Sequence, residues 1–395
     1  MQKKNMKMKT FLTISKIKSY KKYVENFLSY LKDTSIGKIY QEYRISSTSI
    51  YFLLGAALLS ILNLTHFALL LIGFVLLVTS ANWLVDSAGK LGRLLNISQL
   101  AIGLTIVAFG TSAPEFFVNI IAAVKGYAGI TVGDIFGSNI INICGGIGIS
   151  SIICVLSIKQ STIKFELPFL IFSAIILIFL IYNFNPTISI SSEMVYISKA
   201  DGILLVLLFL FYIGYVYGYL IKKKYKPLPE RKEKKEREKE KRWLVLAKTL
   251  IKISISILTM YFSGNIIVNE SVSIARLLSI KESIIGATVV AFGTSIPDIF
   301  ASIIATIKGN DEIAVGNIVG SNIFNTLWVL GVSAIVATQP LSLSNGLLID
   351  FLIMMIISFL LFFISIIRKR IVKLDGFIFV LAYILYLLSI LNRLS

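Results

Sequence analysis

Charge is scarce in this chain. Only 15% of its 395 residues are Asp, Glu, Lys or Arg, and 56% are hydrophobic; a soluble chain of this size carries about 25% charged residues. A water-soluble helical protein also needs amphipathic stripes, whereas the long runs here are apolar on every side. With one histidine and two cysteines, neither a disulfide framework nor a Cys/His metal-ligand pattern is available. Cys144 and Cys154 stand in an apolar stretch and read as packing residues. His66 stands between two apolar runs and reads as interfacial. The first 45 residues lack an uninterrupted apolar core, so no cleavable signal peptide is expected.

Apolar runs long enough to cross a hydrocarbon core about 30 Å thick recur along the whole length. The net charge of +18 is concentrated: residues 1–44 and 222–242 together carry +15 of it. That distribution excludes a nucleic-acid footprint and fits two basic segments held on the cytoplasmic side of a membrane. In the first, Phe11, Ile14, Ile17, Val24, Phe27, Leu28 and Leu31 recur at helical spacing among lysines, the pattern of an amphipathic helix on an anionic lipid surface. The second, after Pro227 and Pro229, is a solvated linker or short charged helix.

An internal duplication organises the rest. Residues 103–142, GLTIVAFGTSAPEFFVNIIAAVKGYAGITVGDIFGSNIIN, align without a gap to residues 286–325, GATVVAFGTSIPDIFASIIATIKGNDEIAVGNIVGSNIFN, with 24 of 40 positions identical at an offset of 183. The first copy offers spans at 66–87, 98–125, 129–156, 163–183 and 200–221. The second offers 244–268, 282–307, 312–337, 344–367 and 373–393. Five spans is an odd number, so the second copy enters the membrane in the opposite sense, as in many secondary transporters. The expected fold is therefore an all-α polytopic membrane protein with two inverted five-helix repeats, at 66–221 and 244–395. A basic tail (1–48), one extra helix (49–64) and a linker (222–243) complete it. The extra span puts the tail and linker on the same side, for eleven spans in all.

Ionisable groups inside spans are costly and mark function. Glu115 and Asp298 occupy equivalent positions, each just after GTSxP. Gly110 with Pro114, and Gly293 with Pro297, predict a helix break in each copy; broken backbone survives in a membrane only where it lines a cavity. Thr111, Ser112, Thr294 and Ser295 add hydroxyls. Ser138 with Asn142, and Ser321 with Asn325, are four residues apart and share a helix face. Two carboxylates, hydroxyls, amides and freed carbonyls make an all-oxygen site suited to calcium and sodium. Gly133, Gly137, Gly316 and Gly320 read as close helix contacts. Asp134 either draws cations toward the site or stabilises a helix N-terminus.

AFGTSAPE with GDIFGSNIIN, and AFGTSIPD with GNIVGSNIFN, resemble the two alpha-repeats of the sodium/calcium exchanger family, within the calcium/cation antiporter superfamily. The resemblance covers residues 66–395. It implies a ten-helix core, alternating access, and a central calcium site flanked by sodium sites. Carried over, it implies that Glu115 and Asp298 bind calcium with the Thr111 and Thr294 carbonyls. The Ala108 and Ala291 carbonyls, with Ser112, Ser295, Ser138, Ser321, Asn142 and Asn325, would serve mainly sodium. Asn325 resembles the potassium-independent exchangers, since potassium-dependent ones carry Asp there. Asp134 departs from the commoner Asn, which stands at 317. The partners read are Ca²⁺, Na⁺ and the bilayer; no cofactor, enzymatic reaction or obligate protein partner is read. Exchange follows from charge: one Ca²⁺, two Na⁺ or two protons neutralise the carboxylate pair, and buried unpaired charge is expensive. A calcium/proton antiporter would use the same fold. A cation channel and an intramembrane aspartyl protease using Asp134 and Asp298 are the remaining readings.

Overall fold

The computed structural model describes residues 65–94, 108–181, 195–222 and 237–393. The tail at 1–48 with its lipid-binding reading, the helix at 49–64 and most of the linker at 222–243 lie outside the described residues. In chain order the helices are α1 (Thr65–Leu94), α2 (Ala108–Thr111), α3 (Ala113–Val124), α4 (Ala128–Ile153), α5 (Thr162–Ile181), α6 (Lys199–Lys222), α7 (Arg237–Leu277), α8 (Glu282–Ile307), α9 (Asp311–Val336), α10 (Asn345–Arg368) and α11 (Lys373–Leu391). Among the described residues, nine helices are long and apolar enough to cross a membrane, and α3 is a shorter apolar helix. They fall on the spans expected from sequence, five elements to each repeat once α2 and α3 are taken together. The second span of the first repeat, expected over 98–125, is described only from residue 108.

Several hydroxyls inside these helices bond within their own helix. Thr249, Ser256, Ser263, Ser358 and Ser365 return their hydroxyls to the carbonyls four residues back. No water is then needed in an apolar environment. α4 and α9, which carry the GSN motifs, are the most enclosed spans, whereas α6 and α7 turn Leu207, Phe211, Leu258 and Phe262 outward. α1 lies along α7, joined by His66 Nδ1 to Glu270 Oε2 at 2.7 Å.

α3 and α8 each end on a left-handed glycine, Gly126 (φ +82°) and Gly309 (φ +72°), which are equivalent positions of the repeat. The reversed φ turns the chain sharply into α4 and α9. The close helix contact expected from Gly133 and Gly137 is present: a Cβ at Gly137 would meet the Ala287 carbonyl at 2.4 Å, and one at Gly133 the Ser283 carbonyl at 2.6 Å. Among the described residues, no atom lies within 4 Å of a Cβ built at Gly316 or Gly320.

Four short strands fasten the repeats to each other. β1 (Leu156–Ser157), after α4, pairs antiparallel with β4 (Arg370–Ile371), before α11. β2 (Val195–Ile197), before α6, pairs antiparallel with β3 (Leu341–Leu343), after α9. The two pairs are reciprocal: each joins the end of one repeat's third helix to the start of the other's fifth.

Candidate functional site

The two acids come together at the crossing of α3, α4, α8 and α9. Glu115, in the first turn of α3, and Asp298, in α8, are both fully buried. Glu115 lies within Coulombic reach of Asp298 and Asp134. Among the described residues no group of three or more His, Cys, Asp or Glu side chains is placed to hold an ion.

The expected break occurs in the first repeat. α2 ends at Thr111, Ser112 takes a turn conformation (φ −97°, ψ 10°), and α3 begins at Ala113 with Pro114 in its first turn. Pro114 costs nothing there, because the first amides of a helix have no intrahelical acceptor. The expected break in the second repeat does not occur: α8 runs unbroken through Gly293 and Pro297. Pro297 removes the amide that would bond the Gly293 carbonyl. The helix survives that loss because Ala291 and Thr294 are held against α4, through Ser138 and Asp134.

A different irregularity recurs in both repeats. Asn142–Ile147 in α4 and Phe324–Val329 in α9 are wide turns with i→i+5 hydrogen bonds, as is Gly286–Val290 in α8. Such turns interrupt the helical ladder and gather at functional sites. Asn142 opens the first and Asn325 stands at the start of the second.

The side chains expected to act together largely do so. Ser112 Oγ donates to Ser321 Oγ at 3.1 Å, linking the break to α9. Ser295 Oγ lies 3.5 Å from Glu115 Oε1. Asn142 Nδ2 reaches Asp298 Oδ2 at 3.3 Å and Asn322 Oδ1 at 3.1 Å. Ser138 Oγ lies 3.5 Å from the Ala291 carbonyl and 3.4 Å from Thr294 Oγ1. Thr111 and Ser321 lie against Asp298. Ala108 opens α2, and Asn325 is fully buried in α9.

What is left unpaired shows the chemistry. Among the described residues, Glu115 Oε2, Asp298 Oδ1, Asn142 Oδ1 and Asn325 Oδ1 are buried with no hydrogen-bond partner. Buried acceptors without donors are rare and unfavourable in a finished fold. Four of them on α3, α4, α8 and α9 suit a cation that takes oxygen ligands.

Asp134 departs from the helix N-terminus reading: it is the seventh residue of α4, beyond the first turn. It is fully buried, and Asn119, Ser138 and Thr294 all donate to it. It therefore sits inside the polar cluster. Sequence reasoning also passed over four asparagines. Asn139 Nδ2 donates to Thr326 Oγ1 at 2.8 Å, and Asn322 Nδ2 to the Asn139 carbonyl at 2.9 Å, tying α4 to α9. Asn119 bonds the Glu115 carbonyl at 2.8 Å, and Asn317 the Asp298 carbonyl at 3.1 Å. Identity of Asn139 and Asn322 at the repeat offset was the available clue; Asn119 faces Ser302 at that offset and left none.

The family model described as sodium/calcium exchanger protein matches residues 65–218 and 248–392. Putative antiporter CaxA of Alkalimonas amylolytica is 35% identical over 267 residues, 68% of this chain and 79% of that protein. Sodium/calcium exchanger MaX1 of Methanosarcina acetivorans is 32% identical over 344 residues, 82% of this chain and 97% of that protein. Among solved structures, the sodium-calcium exchanger NCX_Mj soaked with Na⁺ and Sr²⁺ is similar at a TM-score of 0.54 and 26% identity, covering 82% of this chain and 98% of that one.

Proposed function

The chain belongs to the sodium/calcium exchanger family, and from that premise we propose that it exchanges Ca²⁺ for Na⁺ across a cell membrane, by alternating access at the Glu115–Asp298 cluster. One observation carries the reading: among the described residues, buried oxygens of Glu115, Asp298, Asn142 and Asn325 have no donor. A divalent ion between the two carboxylates would cancel their charge, with the Thr111 and Thr294 carbonyls completing its shell. Two or more sodium ions could do the same, held by Ser112, Ser295, Ser138, Ser321, Asn142, Asn325 and the Ala108 and Ala291 carbonyls. A carboxylate pair left bare would carry about −2 through a dry barrier, which burial makes prohibitive. Only the loaded site would then cross, and the two ions would exchange in place of leaking.

The hydroxyl and amide oxygens favour sodium as counter-ion over protons, which need no such shell. In this reading the repeats are inverted, and the basic segments 1–44 and 222–242 face the cytoplasm with anionic lipid beneath them. The test is ⁴⁵Ca²⁺ uptake into liposomes containing the purified protein, with a sodium gradient or a pH gradient imposed alone. Uptake driven by outward sodium supports exchange for sodium. Uptake driven only by the pH gradient replaces it with the proton-coupled reading.

A further inference from the structure

Asp134 is the one acid of the cluster that the duplication does not supply twice, since Asn317 stands at its equivalent position. All of its hydrogen-bond partners donate to it. Asn119 Nδ2 donates to Oδ2, while Thr294 Oγ1 at 3.0 Å and Ser138 Oγ at 3.3 Å donate to Oδ1. An ionised carboxylate only accepts, so it fixes the direction of all three bonds.

In the second repeat the corresponding pair runs the other way. Asn317 Nδ2 donates to Ser302 Oγ at 3.2 Å, with Ser302 in the place of Asn119. The hydroxyls equivalent to Ser138 and Thr294, namely Ser321 and Thr111, lie against the ligating carboxylate Asp298 itself. In the first repeat those hydroxyls reach Asp134, whose carboxylate competes for the Thr294 hydrogen with the Val290 carbonyl at 3.1 Å. Glu115 is left with one long contact, 3.5 Å from Ser295, and a free Oε2.

We infer that Asp134 is a positioning residue: it holds the Ser138 and Thr294 hydroxyl hydrogens away from the ion and leaves Glu115 open to coordinate. This rests on the exchange reading above. A hydroxyl has one hydrogen and two lone pairs; with the hydrogen committed to Asp134, both oxygens present lone pairs to a cation. Sodium, held mainly by neutral oxygens, depends on that orientation more than calcium, which is held mainly by carboxylates. Asn at 134 cannot reproduce it. Its amide hydrogens would face either Asn119 Nδ2 or the two hydroxyl oxygens. Asn119 cannot turn over without giving up its 2.8 Å bond to the Glu115 carbonyl.

Sodium-driven ⁴⁵Ca²⁺ uptake by the wild-type protein in liposomes is measured first; its absence counts against the exchange reading and not against Asp134. In Asp134→Asn the half-saturating sodium concentration is expected to rise about 10-fold, with that for calcium moving less than about 3-fold, the size of one misdirected hydrogen bond. Asn119→Ser/Asp134→Asn rebuilds the Ser302–Asn317 arrangement without restoring the acid, and is expected to return sodium half-saturation to within about 3-fold of wild type. If the single variant fails to fold, its recovery by the added Asn119→Ser gives the same answer. Equal weakening for both ions, no change for either, or absence of rescue by the double variant overturns the proposal.

Discussion

At the scale of single residues, what decides the site is which oxygens lack donors. Glu115 Oε2 and Asp298 Oδ1 are buried and unpartnered, so each acid is expected to be indispensable for ion binding. Glu115→Gln and Asp298→Asn should each lower ⁴⁵Ca²⁺ binding to the purified protein by at least about 100-fold, the ~2.7 kcal/mol that two decades of affinity represent. Asn325 is a different case. Among the described residues both atoms of its amide are buried without a partner, so no described hydrogen bond is lost when it is removed. Asn325→Ala should weaken sodium-driven uptake about 10-fold while moving the thermal midpoint in detergent by no more than about 4 °C, about 1 kcal/mol. The carboxylates were legible in the sequence because acids are conspicuous in apolar runs and a repeat offset pairs them. Asn119 and Asp134 were not legible as a pair. Their counterparts Ser302 and Asn317 exchange the donor and acceptor roles, and such polarity lives in three dimensions.

At the scale of helices, the crossing of α4 over α8 is what brings Ser138 to Ala291 and Thr294. It depends on Gly137, where an added methyl would stand 2.4 Å from the Ala287 carbonyl and 2.8 Å from the Ala291 Cβ. Gly137→Ala should destabilise by about 1–3 kcal/mol through overpacking. Thermal denaturation of the variant beside the wild type checks this. The spans themselves were readable from apolar length alone. The helix irregularities were read only in part. Pro114 falls where a helix tolerates it, just after a break, whereas Pro297 lies within α8, which continues through it. The wide turns at Asn142–Ile147 and Phe324–Val329 contain NICGGI and FNTLWV. Those two strings share no breaker, so their common geometry comes from packing and not from local propensity.

At the scale of the whole molecule, the two repeats hold each other. The strand pairs tie α4 to α11 and α9 to α6 across the repeats, and within the second repeat a part-buried ion pair, Arg393 to Asp350 at 2.6 Å, ties the end of α11 to α10. The duplication was legible in the sequence, from 24 of 40 identical positions at one offset. The strands were not: LS, VYI, LSL and RI are too short to show any alternation. Since these fastenings lie between the repeats, the connection over 223–236 is not needed to hold them together. Residues 1–229 and 230–395, co-expressed as separate chains, should co-purify and restore sodium-driven uptake, and either chain alone should give none.

The reciprocity of those strand pairs also bears on descent. A single five-helix ancestor would already own both halves of each clasp, one after its third helix and one before its fifth. Two identical copies inserted in opposite senses would close on one another as a symmetric homodimer, with the same clasp made twice. Gene fusion would then have added a tether to an assembly already complete, after which the copies were free to diverge, as Asp134 and Asn317 have.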